Sequence, residues 1–195
     1  MTTSRTISNA NGRYRTWKLL LTVCILVSFF ENCAFAGQQF SLAGTIFERA
    51  GDEYNVDPAL LYSIALVESA IDDPDKAGFI NPFPWTLRST RPFYGKNRQE
   101  AEKELLRLLK THKSIDVGLM QINTKWHGHR VNSPTALLDP LTNVRIGAQI
   151  LSEQIDKTAD AEMAIGRYHS FDPERARWYA HHVLRVYTQI RHRGK

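Results

Sequence analysis

Asp57-Pro58-Ala59-Leu60-Leu61-Tyr62-Ser63-Ile64-Ala65-Leu66-Val67-Glu68-Ser69 is the stretch on which the reading of this 195-residue chain turns. An aspartate before a proline marks a helix start, because the carboxylate caps free N–H groups and proline tolerates the first helical position. The apolar residues Leu61, Ile64 and Ala65 then fall at helical spacing. The same punctuation returns at Asp139-Pro140, followed by Leu141, Val144, Ala148, Leu151 and Ile155. It returns again at Asp172-Pro173, followed by Ala176, Ala180, Val183 and Tyr187. Helices are also expected from about Ser41 to Glu53 and from about Asp160 to Tyr168, while strand alternation is poor. The chain therefore reads as mainly α.

Glu68 is out of place on this pattern. It follows Ala65, Ile64 and Leu61 by three, four and seven residues, which puts its carboxyl on the core-facing side of the helix. Burial, the negative end of the helix dipole, and the nearby Asp72 and Asp73 all raise its pKa. A glutamic acid still protonated near neutrality can protonate a leaving sugar oxygen. A structural glutamate paired with an arginine such as Arg145 or Arg167 fits the same pattern, since ion-pair networks also perturb pKa values.

Outward from this helix the chain divides unevenly. Residues 1–36 carry Arg5, Arg13, Arg15 and Lys18, then an apolar run from Leu19 to Phe30, then Ala34-Phe35-Ala36. That order reads as a secretory signal peptide, since the run is short of the ~20 residues of a membrane span, with a retained N-terminal anchor as the competing reading. Cleavage after Ala36 would leave residues 37–195 as the mature, exported, periplasmic chain. Both cysteines, Cys24 and Cys33, would leave with the signal, so no disulfide, thiol nucleophile or Cys-ligated zinc is expected. The whole chain has a formal charge of +5. Loss of four basic residues and Glu31 brings this to +2, so the basic balance does not point to nucleic acid.

Residues 72–112 interrupt the helical series. The first part holds Pro74, Pro82, Pro84 and Pro92 with Phe79, Phe83, Trp85, Phe93 and Tyr94, and reads as an aromatic loop. Its aromatics, Trp85 among them, either stack on a ligand or pin the loop. Asn97 and Glu100 then stand at capping-box spacing before a charged amphipathic helix over 98–112. The histidines at 127, 129, 169, 181 and 182 match no metal-binding frame, so no metal is expected.

The ordered set Glu68-Ser69, Gly118-Leu119-Met120-Gln121-Ile122-Asn123 and Arg167-Tyr168-His169-Ser170 resembles the lysozyme-like, goose-type domain of bacterial lytic transglycosylases. The resemblance runs from about Phe40 to Arg185 and implies a helical lysozyme-like fold in which 72–112 is an inserted loop and helix. It implies Glu68 as the catalytic acid, Ser69 as an aid to substrate orientation, and Gln121 and Asn123 as amide partners of the glycan. Tyr168 is implied as the phenol on the Glu68 carboxyl. The substrate implied is the peptidoglycan glycan strand, cleaved to 1,6-anhydromuramic products without a cofactor. Two departures stand out: His169 where the family usually has asparagine, and the 50-residue separation of Glu68 from Gly118.

The segments Asn81-Pro82-Phe83-Pro84-Trp85-Thr86 and Ile115-Asp116-Val117-Gly118 resemble the branch associated with conjugative or type IV pilus and secretion systems. A hydrolytic muramidase remains as an alternative. It needs a second carboxylate, for which Asp72, Asp73 and Asp116 are candidates, with surface or capping roles expected of each. A noncatalytic peptidoglycan-binding assembly component is the alternative of another class.

Overall fold

A computed structural model describes residues 40–73 and 80–193; the signal reading of residues 1–36 lies outside them. All three Asp-Pro signals are helix starts. Asp57 accepts from Ala59 N–H at 2.7 Å, Asp139 from Thr142 N–H at 2.9 Å, and Asp172 from Arg175 N–H at 2.9 Å. The helices are α1 (Ile46–Tyr54), α2 (Pro58–Ser69), α3 (Arg98–Leu108), α4 (Thr124–His127), α5 (Pro140–Ile155), α6 (Ala161–His169) and α7 (Pro173–Arg193). The first begins later than its apolar pattern suggests because Thr45 caps it, accepting from Glu48 N–H, while Glu48 in turn accepts from Gly44 N–H at 2.6 Å. These two bonds fix the start more firmly than propensity does.

Helix α2 is the buried centre. Leu61, Ile64 and Ala65 have no exposed surface, and removal of such side chains from water contributes about 1.5–3 kcal/mol for each large one. Helix α7 packs on α2 and on α6, while α5 packs on α1 and α6. The stripe expected on α7 is inside, with Ala176, Ala180 and Val183 buried, and it includes Tyr179 at 2% exposure. Ile155, expected on the α5 stripe, is instead exposed at the helix end.

The described parts of 72–96 depart from the loop expectation. Strands β1 (Ala70–Asp72) and β2 (Ile80–Pro82) pair antiparallel. Strands β3 (Thr86–Arg88), β4 (Pro92–Tyr94), β5 (Asp116–Val117) and β6 (Ile122–Asn123) form a sheet in the order β4-β3-β5-β6. The register sets Leu87 opposite Val117 and Arg88 opposite Asp116. The inserted segment thus backs the strand that leads into Gly118. Helix α3 lays Ala101 and Leu105 into the same core as Leu61.

Candidate active site

The turn between β5 and β6 is held by the side chains of Asn143 and Ser69. Gly118 has φ +79°, and a Cβ there would lie 2.4 Å from Asn143 Nδ2, so both backbone and space require glycine. Asn143, on α5 and 1% exposed, accepts from Met120 N–H and donates to the carbonyls of Val117 and Leu137, each at 2.8 Å. Ser69, the last residue of α2, is buried. Its hydroxyl donates to Leu119 O at 2.8 Å and accepts from Phe83 N–H at 3.2 Å. Ser69 therefore ties the end of α2 to the turn and does not face a ligand, contrary to the orienting role expected of it.

Above this turn lies a cleft of about 880 Å³, and Glu68, Gln121, Asn123 and Tyr168 all line it. The Glu68 side chain is 10% exposed. Burial pushes its pKa up from 4.5 to about 7, against the lowering effects of a hydrogen bond from Tyr179 and the Arg88 charge. The like charge that assists comes from Asp116, not from the Asp72 and Asp73 named by sequence proximity. Neither Arg145 nor Arg167 neutralises Glu68; Arg145 pairs with Glu53 at 2.7 Å.

The phenol on Glu68 is also not the one expected. Tyr179 OH donates to Glu68 Oε1 at 2.7 Å, while Tyr168 OH donates to Met120 O at 2.8 Å. Tyr168 holds the floor of the turn, and Tyr179 holds the acid. The Tyr179 ring stacks on His169 at 4.7 Å and 5°, and His169 Nδ1 lies 4.0 Å from Glu68 Oε1. Burial holds the His169 pKa below its ordinary value, so near neutral pH the ring is uncharged.

Gln121 and Asn123 have less to offer a ligand than their amides suggest. Gln121 Nε2 donates to Gly118 O at 2.9 Å and to Thr86 O at 3.3 Å. Asn123 Nδ2 donates to Ser114 Oγ at 2.8 Å and to Asp116 Oδ1 at 2.6 Å, while its Oδ1 caps α4 through Lys125 N–H and Trp126 N–H. Their donors are spent on the fold. The free valence is Gln121 Oε1, buried and without a partner.

Of the three carboxylates weighed as a second acid, Asp116 is the one in the cleft. Burial, and not its neighbours, raises its pKa; the Asn123 hydrogen bond and the Arg88 charge oppose the shift, as does His169 when it is protonated. Asp73 accepts from Asn81 Nδ2 at 2.6 Å, and Asp72 is exposed at the end of β1. Trp85 does not line the cleft. It packs edge-on against Phe83 at 5.8 Å and leans on the core. The exposed large aromatics that reach the cleft, among the described residues, are Trp126, 64% exposed, and Phe171, 76% exposed, both outside the segment that composition singled out.

A family model described as Transglycosylase SLT domain matches residues 45–182, which include every residue of this cleft. A curated relative from Escherichia coli O157:H7, named Peptidoglycan-binding-like protein, is 26% identical over 180 residues. The match covers 87% of this chain and 89% of the relative.

Proposed function

Since the chain belongs to the family of the transglycosylase SLT domain, we propose that it is a peptidoglycan lytic transglycosylase that cuts the β-1,4 bond between N-acetylmuramic acid and N-acetylglucosamine. The observation that carries this reading is the Glu68 carboxyl, buried at the cleft floor with its pKa up to about 7 and its orientation fixed by Tyr179. A protonated carboxyl in that state is a general acid poised near the working pH. The name of the E. coli relative supports peptidoglycan as the material handled.

The chemistry balances with one carboxyl. Glu68 gives its proton to the glycosidic oxygen as the C1–O bond of the muramic sugar breaks. The carbonyl oxygen of that sugar's own acetamido group closes on C1, a substrate-assisted route among glycoside-cleaving enzymes. The Glu68 carboxylate then takes the proton of the 6-hydroxyl, O6 displaces the acetamido oxygen at C1, and a 1,6-anhydro ring results. Water is neither consumed nor released. Holding O6 and C1 in one molecule gives the closing step an effective molarity of about 10⁵–10⁸ M over free water. Gln121 Oε1 and Gln154 Oε1, both on residues that line the cleft, have no donor among the described residues and are the acceptors proposed for an acetamido N–H.

Asp116 favours a second reading, hydrolysis, because it is a carboxylate in the same cleft. Mass analysis of products from digested sacculi separates the two. Muropeptides lighter by one water than hydrolysis products support the transglycosylase reading. Reducible muramic ends would overturn it and make Asp116 the base that activates water. No cleavage of sacculi would favour a noncatalytic peptidoglycan-binding component.

We further propose export to the periplasm with Gly37 as the mature N-terminus, on the strength of Ala34-Phe35-Ala36 after a short apolar run. N-terminal sequencing of the periplasmic protein tests this, and an intact residue 1 there would refute it. Local opening of the wall for a conjugation or secretion apparatus is the use proposed for the activity. Loss of transfer in cells carrying Glu68→Gln tests it, and undiminished transfer would overturn it.

A further inference from the structure

The charges that line the cleft do not cancel. Three arginines, Arg88, Arg167 and Arg175, face two carboxylates, Glu68 and Asp116. Arg88 stands opposite Asp116 in the sheet register and its charge is felt by both carboxylates. Arg175 has Asp172 at 3.6 Å. The other charges near α6 are also engaged, since His181 meets Glu162 at 3.6 Å and Arg130 meets Glu153 at 2.6 Å. Arg167 alone among these has no hydrogen bond or ion pair with any of the described residues. It is half-buried at the end of α6, two residues before the His169 that borders Glu68.

A partly buried guanidinium without a partner has given up part of its hydration and received nothing in return. Its planar fork matches a carboxylate, and such a pair is among the stronger hydrogen-bonded contacts. The sugar rings of a peptidoglycan strand offer hydroxyls and amides. The peptide stem carried on each muramic lactyl group offers free carboxylates.

Resting on the peptidoglycan reading above, we propose that Arg167 binds a stem carboxylate, so that this cleft takes glycan strands bearing their peptide stems in preference to stripped strands. Arg167 is then a specificity-determining residue, and the acid at Glu68 is indifferent to the stem.

The test compares soluble glycan strands with stems against the same strands after an amidase has removed them. The readout is the ratio of kcat/KM on the two substrates, for the native full chain, Arg167→Gln and Arg167→Lys. The native ratio is expected at about tenfold, the size of one charge-assisted hydrogen bond. It should fall to near one in Arg167→Gln, recover partly in Arg167→Lys, and shrink with added salt. A native ratio of one overturns the proposal. So does an unchanged ratio in Arg167→Gln with both rates lowered, which is what a purely structural arginine would give.

The same ratio is read from binding alone by cosedimentation of Glu68→Gln with and without Arg167→Gln. If the native chain cleaves neither substrate but Glu68→Gln prefers stem-bearing strands and the double variant does not, the transglycosylase reading fails and this one stands. Equal binding of both strands overturns this proposal whatever the catalytic result.

Discussion

Glu68→Gln tests the buried acid through stability as well as through turnover. Folding moves the Glu68 pKa from 4.5 to about 7. At 1.36 kcal/mol per pH unit this corresponds to about 3 kcal/mol of linkage. The folded state holds the proton more tightly than the unfolded chain. The contribution is therefore fully present below pH 4.5 and is lost as the pH rises through about 7. Glutamine has nearly the same shape, can accept the Tyr179 hydroxyl, and does not titrate. Its amide adds a donor whose cost does not change with pH, so the difference between variant and native is the informative quantity.

Urea denaturation of both proteins from about pH 4 to about pH 8.5 should show the stability of Glu68→Gln, relative to native, rising by about 3 kcal/mol across that range. For a domain of this size this is a relative Tm gain of about 10 °C. Titrations of groups remote from Glu68 are common to both proteins and cancel. Cleavage should be absent in the variant at every pH, and in the native chain should decline above about pH 7 as the acid form is lost. Parallel pH–stability curves would refute the claim that burial of the carboxyl is what holds the proton, even if the variant were inactive.

Tyr179→Phe removes a hydrogen bond that lowers the Glu68 pKa, so the alkaline limb of the cleavage profile should move to higher pH while the domain loses about 1 kcal/mol; a limb that stays or moves down contradicts this. Trp85→Ala should cost about 2–4 kcal/mol in chemical denaturation, because the ring packs on Phe83 and the core. Glycan affinity should be unchanged in Trp85→Ala, and a weakened affinity in a variant of native stability would return Trp85 to the ligand.

What the sequence made legible follows from period and spacing. The Asp-Pro caps and the Leu61, Ile64 and Ala65 stripe give both the helical series and the inward face on which Glu68 stands, since one helix fixes all of these relations. The strands were not legible because they are two or three residues long and are held by pairing to segments far away in the chain. Val117, for example, is a strand residue because Leu87 lies across from it. The acid's phenol was missed for a similar reason. Tyr179 sits at helical spacing from Ala176 and Val183, enough to mark it as a core aromatic, but its contact with Glu68 spans 111 residues. Tyr168 was favoured because it stands in the recognisable segment, and that segment uses its phenol to hold Met120 O.

Among the polar residues around the turn, those spent on the fold and those left for a ligand are different sets, and the motif segments contribute to both. Ser69, Asn123 and Asn143 are polar, and buried or half-buried polar atoms must find partners before any ligand arrives. They find them in the β5–β6 turn: Ser69 on Leu119 O, Asn143 on Met120 N–H and two carbonyls, Asn123 on Asp116 and the start of α4. Their identity follows from a turn that a positive-φ glycine begins and a positive-φ glutamine ends. Among the described residues, the groups left with free valence are Glu68 with a proton to give, Gln121 Oε1 and Gln154 Oε1 without a donor, Arg167 without an anion, and the exposed rings of Trp126 and Phe171. Substitutions in the first set should therefore act on stability and on turnover together. Those in the second set should change binding and pH dependence in a protein that still folds.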